Sequence, residues 1–382
     1  MPLDMDIREQ LIETVNRFVA ERLRPLEAQV AENDAVPDDV LEEMKQLGLY
    51  GLSIPEQFGG LDLSMEDECL VAVELGRTSP AFRSTFGTNV GIGSQALVMF
   101  GTEAQKEKFL PGIASGEIIT SFALTEPEAG SDSAAVQTRA IRDGDHYVLN
   151  GAKRFITNAN KADLFTVMAR TDPSRPGAGG VSAFLVPRDL PGLSVGKPEK
   201  KMGQQGAHVC DVIFDNVRVP AENRIGQEGE GFKVAMQVLD KGRLHISALC
   251  VGVAERLIAD SVAYAAERKQ FGQPLSGFQL VQGMIADCKT EALAARALTM
   301  ETARKRDLGQ NVTMEGAAAK YFASEMVGRV ADKAVQIFGG AGYIAEYGIE
   351  RFYRDVRIFR IYEGTSQIQQ VIIARETMKR GG

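Results

Sequence analysis

The stretch "TRAIRDGDHYVLNG", residues 138–151, decides how the chain divides. Apolar and polar residues alternate on both sides of Asp143-Gly144, the pattern of two antiparallel strands meeting at a tight turn. "DLFTVMAR", "VSAFLVP" and "CDVIFDNVRVP" follow as short β-branched and aromatic runs broken by Pro, Gly and Asp. Residues 121–230 therefore read as a small β domain of barrel or sandwich type.

Outward from this segment the period becomes helical. Toward the N-terminus, Ile7, Leu11, Ile12, Val15, Phe18, Val19 and Leu23 recur on one face and predict an amphipathic helix over 7–23. Residues 37–48 and 65–76 repeat the pattern. Toward the C-terminus, "IGQEGEGFK" (225–233) reads as a Gly-rich linker, with helices expected over 234–266, 278–306, 312–338 and 365–379. "LHISALCVGVAERLIADSVAYAAER" carries one wide apolar stripe, as a helix inside a bundle does. The expected fold is α+β multidomain: a helical domain over 1–120, the β domain over 121–230 and a helical bundle over 231–382.

Composition narrows the classes. A chain of 382 residues holds two or three domains at roughly 150 residues each. Hydrophobic and charged fractions of 44% and 25% suit a soluble globular protein. A net charge of −8 argues against a broad nucleic-acid surface. The Cys residues at 69, 210, 250 and 288 lack any CxxC spacing and read as thiols in a reducing compartment. The His residues at 146, 208 and 245 are too scattered for a metal site. The first twenty residues mix charges among apolar ones, so no signal-peptide core is expected. No apolar run approaches the ~18 residues that span a membrane, and a cytoplasmic protein is expected. The absence of a G-x-G-x-x-G after a strand, and of a P-loop, argues against those nucleotide sites.

Several stretches admit a chemical reading beside a structural one. In "SFALTEPEAGSDSAA" (121–135), Thr125, Glu126, Ser131 and Asp132 crowd around Pro127 and Gly130. This is a self-capped turn, or a loop offering N–H groups and hydroxyls to a polar heterocycle. "NGAKRFITNA" (150–159) sets Phe155 two residues before Thr157, either strand packing or a ring that stacks on a planar ligand beside a bonding hydroxyl. In "AERKQFGQPLSGFQ" (266–279), Arg268 and Lys269 precede Phe271-Gly272: a basic helix end favoured by the dipole, or a phosphate-binding Arg. "QIFGGAGYIAEYGIERFYRD" (336–355) holds Gly339, Gly340 and Gly342, an ordinary helix stop or a close approach to ligand. In "RIYEGTSQIQ" (360–369), Glu363 is a surface acid at a helix N-terminus or a base in an apolar slot.

Taken in order, "FALTEPEAGSD", "NGAKRFITNA", "DVIFDNVRVP", "ERKQFGQPL", "QIFGGAGY" and "IYEGTSQIQ" resemble the acyl-CoA dehydrogenase family of flavoproteins, essentially from end to end. The resemblance implies a C-terminal four-helix bundle and a homotetramer built as a dimer of dimers. It implies FAD between the β domain and the bundle, partly completed by a neighbouring subunit. The implied reaction oxidises an acyl-CoA to the trans-2-enoyl-CoA, with electrons leaving through an electron-transferring flavoprotein.

Carried over by motif, Phe122, Leu124 and Thr125 lie by the flavin ring, with Gly130 and Ile156 in the same cofactor motifs. Ser131 lies near flavin and CoA phosphates, Phe155 stands where relatives usually have Trp, and Thr157 bonds flavin N5. Arg268, Phe271 and Gln279 meet the FAD of a neighbouring subunit, and Gln336, Ile337, Gly339 and Gly340 reach cofactor across the interface. Thr365 and Gln367 touch FAD, while Asp240, Arg243, Tyr362 and Gly364 border the acyl-CoA.

The resemblance makes Glu363 the base that removes the α-proton, shielded so that its pKa rises. Its backbone N–H and a flavin ribityl hydroxyl are the implied donors to the enolate oxygen. Gly242 occupies the position where some relatives carry the base, and is expected to leave room beside the acyl chain. Arg83, in "SPAFRSTFGTNVGIGSQ" (79–95), resembles an Arg that binds the far carboxylate in glutaryl-CoA dehydrogenases; a surface or interface cation is the other reading. A neutral short- or medium-chain substrate ranks first. An acyl-CoA oxidase, a flavin monooxygenase of this fold and a scaffold with a degenerate site are the alternatives. Arg360 has no account at this level.

Overall fold

The computed structural model describes residues 3–381. Met1, Pro2 and Gly382, which the expected domains 1–120 and 231–382 include, lie outside the described residues.

The first part is helical: α1 (Met5–Phe18), α2 (Glu27–Asn33), α3 (Asp38–Gln46), α4 (Met65–Leu75), α5 (Pro80–Val90), α6 (Gln95–Phe100) and α7 (Glu103–Ser115). Side chains close the orphan N–H groups at several helix starts. Asp4 accepts from Asp6 at α1, Ser64 accepts from Asp67 at α4, and Thr102 with Gln105 forms a capping box at α7. The helix expected over 7–23 stops as an α-helix at Phe18. Val19–Leu23 widens into a π turn and Arg24–Leu26 tightens to 3-10, because Pro25 has no N–H to continue the ladder.

The β domain comprises β1 (Thr120–Ala123), β2 (Arg139–Asp143), β3 (His146–Thr157), β4 (Leu164–Arg170), β5 (Val181–Pro187), β6 (Leu193–Val195), β7 (Val209–Pro220) and β8 (Arg224–Ile225). The predicted hairpin is present: Asp143 pairs with His146 around Gly144, whose φ of 62° suits a residue without a Cβ. The sheet order is β6-β7-β3-β2-β4-β5-β8, with β1 added parallel to β4.

The last part contains α8 (Gly231–Glu267), a small hairpin of β9 (Lys269–Gln270) and β10 (Gln273–Pro274), then α9 (Gln279–Asp307), α10 (Thr313–Phe338), α11 (Ile349–Asp355) and α12 (Ser366–Gly381). α8 begins inside the expected linker. Gly231 docks against the Ser182-Ala183 backbone so closely that any Cβ would overlap it, so the helix starts where it touches β5. One apolar core joins α4 to α8, α9, α10 and α11 through residues such as Cys69, Leu249, Met326 and Phe352. A second joins α6 and α7 to the sheet and to Val234, Ala235 and Val238 of α8. The single helix α8 thus touches all three parts, and Asp240 and Arg243, two of the residues expected to border the substrate, lie on it between the two cores. Among the described residues no helix is long and apolar enough to cross a membrane, and no group of three His, Cys, Asp or Glu could hold a metal ion.

Candidate active site

The turn before α12 is built from two left-handed residues, Glu363 at φ 52° and Gly364 at φ 90°. A left-handed Glu costs on the order of 1 kcal/mol, so the surroundings must hold it. Gln369 Nε2 donates to the Glu363 carbonyl at 3.1 Å and to the Gly364 carbonyl at 3.0 Å. Lys320 Nζ, from the first third of α10, donates to the Gly364 carbonyl at 2.7 Å. Ser366 Oγ donates to Glu325 at 2.7 Å, and Arg360 faces the same carboxylate at 3.5 Å. Arg360 lies flat over Gly328 of α10, where a Cβ would overlap its guanidinium. Arg360 therefore ties the turn that carries Glu363 to α10, the account its sequence position did not provide.

Glu363 Oε2 is buried with no hydrogen-bond partner, although the residue as a whole keeps some accessible surface. The space it enters is the one over Gly242, where a Cβ would overlap Oε2. Gly242 was expected to make room beside the acyl chain; the room it makes is filled by the carboxylate itself. Burial raises the Glu363 pKa, and Arg83, Lys320 and Arg243 pull it partly back. Burial also pushes the Tyr362 phenol well above its usual range.

Arg243 is buried and paired with Asp240, which accepts from Thr313 Oγ1 at 3.1 Å. Arg83 is half-buried on α5 and folds over Gly87, whose missing Cβ would sit 2.7 Å from Arg83 Nη1. Its charge acts on both Tyr362 and Glu363. The structure thus gathers Glu363, Tyr362, Gly364, Arg83, Asp240 and Arg243 at one place.

The β-domain group forms around a bulge in β3 between Lys153 and Ile156. Phe155 there has φ 57° and is 55% exposed, with the Arg154 guanidinium 4.9 Å from its ring centre. The Arg154 N–H donates to the Thr125 carbonyl at 2.8 Å, which lays the loop after β1 along this bulge. Lys153 pins the same loop from beneath: its Nζ bonds Glu126 at 2.6 Å and the Leu124 carbonyl at 3.1 Å. Burial lowers Lys153 to about 8, opposed by Glu126. Phe122 and Leu124 are nearly buried, Thr125 and Thr157 are half-buried, and Gly130 and Ser131 are exposed. The Ile156 side chain packs in the β core, so it offers a ligand only its backbone. Helix α5 links the two groups. Asn158, next to Thr157, donates to the carbonyl of Ser84, one residue past Arg83, at 2.8 Å and to Thr88 at 2.9 Å.

The remaining expected cofactor residues lie elsewhere. Arg268 and Phe271 are exposed at the β9–β10 hairpin and Gln279 is exposed where α9 begins, with Phe271 93% exposed at φ 51°. Gln336, Gly339 and Gly340 are exposed where α10 ends, while Ile337 points inward at 5% exposure. Thr365 is half-buried and Gln367 exposed. None of these side chains bonds the β-domain group. Lys320, Lys153 and Gln369 went unnoticed in the sequence. Their only signal is a polar residue at an apolar position, as in "GAAAKYFA", where Lys320 is fully buried.

Three family models match the chain along its length: acyl-CoA dehydrogenase N-terminal domain over 6–117, middle domain over 121–217 and C-terminal domain over 229–378. The chain belongs to the acyl-CoA dehydrogenase family. It is 41% identical over 380 residues to a probable acyl-CoA dehydrogenase, YngJ, of Bacillus subtilis, covering 99% of this chain and 100% of that protein. It is 42% identical over 375 residues to the acryloyl-CoA reductase (NADH) of Anaerotignum propionicum, covering 98% and 95%. The structure of butyryl-CoA dehydrogenase from Megasphaera elsdenii superposes with a TM-score of 0.95 at 38% identity, covering 99% of this chain and 100% of that one.

Acyl-CoA dehydrogenases are FAD-dependent oxidoreductases, and so is this protein. The residues present fit a flavin. A partly exposed aromatic ring stands beside two half-buried threonines, and Gly339 and Gly340 have nothing within 4 Å of where a Cβ would sit, which leaves bare backbone for a ligand.

Proposed function

We propose that the protein oxidises an acyl-CoA thioester to the trans-2-enoyl-CoA and passes the electrons to an electron-transferring flavoprotein. The observation that carries this reading is the Glu363 carboxyl oxygen, shielded, unpaired and held over Gly242 by a turn fixed at both carbonyls. An α-proton of a thioester is weakly acidic, so its base must be dry enough to want a proton. Burial of Glu363 meets that need. Arg83, Lys320 and Arg243 pull against that rise. The Glu363 N–H has no protein acceptor among the described residues and is available to a developing enolate oxygen. Thr125, Phe155 and Thr157 are the residues that would hold the flavin ring; the chemistry FAD supplies when bound is acceptance of the β-hydrogen as hydride. The direction of net reaction follows the electron partner, since Glu363 takes the proton one way and returns it the other.

A second reading of the substrate rests on Arg83. Its guanidinium has no ion pair among the described residues although half-buried. An unpaired cation in such a place is costly unless a ligand brings the anion. The acyl pocket then favours a chain ending in a carboxylate, as in glutaryl-CoA. Anaerobic bleaching of the FAD-loaded protein by butyryl-, hexanoyl- and glutaryl-CoA tests both points. Bleaching by at least one, with slow reoxidation in air, is expected; no bleaching sinks the dehydrogenase, and rapid reoxidation makes it an oxidase. Neutral chains reacting as fast as glutaryl-CoA would remove the role given to Arg83.

The working unit is proposed to be a homotetramer of chains with domains 1–120, 121–230 and 231–382, located in the cytoplasm. The exposed Arg268, Phe271 and Gln279 then complete the FAD site of a neighbour whose Gln336, Gly339 and Gly340 lie bare. Sedimentation of the FAD-loaded protein should give four chains per particle; a monomer that keeps FAD contradicts the shared site.

A further inference from the structure

Lys320 sits in the first third of α10 with its side chain fully buried, and among the described residues no carboxylate pairs with it directly. Its one bond goes to the Gly364 carbonyl at 2.7 Å. Gln369 already donates to that carbonyl at 3.0 Å, so a hydrogen bond alone does not call for an ammonium here. We propose that Lys320 is a positioning residue for the base: it clamps the left-handed Glu363-Gly364 turn and places a buried positive charge beside the Glu363 carboxyl. The inference rests on the reading of Glu363 as the base.

The charges around the pair come from every packed element. Arg83 on α5, Arg243 on α8 and Lys320 on α10 act on Glu363. Cys250 and Arg243 on α8, Glu325 on α10 and Glu363 itself act on Lys320. Burial lowers Lys320 only to about 8, so at neutral pH most of it stays charged. Removing that charge raises the Glu363 pKa, since the two arginines compensate only in part. The base then stays protonated to higher pH, and the acid limb of proton abstraction moves up.

The test uses the FAD-loaded full chain and two readouts. One is the rate of anaerobic bleaching by acyl-CoA against pH. The other, independent of turnover, is infrared titration of the carboxyl band that disappears in Glu363→Gln. In Lys320→Met both are expected to move up by about one pH unit. Below the limb that makes bleaching about tenfold slower, with KM little changed. Lys320→Arg should return the limb toward wild type. Lys320→Gln keeps a donor to Gly364 but no charge, and must move the limb as Lys320→Met does; it serves if the Met variant does not fold. Gln369→Leu, which loosens the clamp without touching a charge, should slow bleaching and leave the limb in place. An unmoved limb in Lys320→Gln, or an equal shift in Gln369→Leu, overturns the inference. If the wild type itself is not bleached by any acyl-CoA, the reading of Glu363 fails instead.

Discussion

Glu363→Gln is expected to give a yellow, FAD-loaded protein that binds acyl-CoA and does not bleach. The amide has the shape of the carboxylate, and the carboxyl oxygen it replaces has no hydrogen-bond partner to lose. The turn is held through the carbonyls of Glu363 and Gly364, which the substitution leaves untouched. Only the capacity to take a proton disappears. A positioned base contributes about 10²–10⁴-fold, so anaerobic bleaching should slow by about 10³-fold or more. Stability should not fall. A carboxyl whose folded pKa lies above its unfolded value loses stability as pH rises through it, so at neutral pH wild type carries a penalty that Gln does not. A thermal midpoint at or above wild type is therefore expected. Bleaching within tenfold of wild type would mean that another group removes the proton.

The fold was legible wherever a period repeats. Alternation around Asp143-Gly144 marked the hairpin, and long apolar stripes marked α8, α9 and α10. The helix expected over 7–23 is present but not α throughout: the apolar period continues past Phe18, while Pro25 withholds the N–H that an α-helix needs. Periodicity reports which face is buried and not which hydrogen bonds close. The start of α8 at Gly231 was hidden for a related reason. Gly there looks like a linker residue, and only the approach of β5 shows why a side chain has no space.

The site was legible in part. Glu363 stood out by its neighbours and by resemblance, and Arg83 by its likeness to a carboxylate-binding Arg. The residues that set the surroundings of Glu363 were not legible, because each acts across a long span. Lys320 bonds a carbonyl 44 residues on, and Gly242 yields its space to an oxygen more than a hundred residues away. A Lys in a helix reads as a solvated charge until its partner is known, and a Gly in a helix as a weak spot. Arg360 was opaque for the same reason, since its meaning lies in Gly328 and Glu325 on another helix.

Gly242→Ala tests that dependence directly. Within α8 the change should favour the helix, since Ala exceeds Gly by about 1 kcal/mol in helix interiors. Overall stability should hold or rise, and FAD content should be unchanged, because the atom the new methyl meets is the far end of the flexible Glu363 side chain. Yet the new methyl takes the space of Glu363 Oε2. The backbone of the turn cannot back away, fastened as it is by Lys320 and Gln369, so the carboxyl must rotate out of its slot. A displacement near 1 Å at a reacting group costs about 10²-fold. Bleaching by acyl-CoA should therefore slow by about that factor in a protein that melts no earlier than wild type. A Gly242→Ala protein that bleaches within about threefold of wild type would show that the carboxylate does not work from this slot.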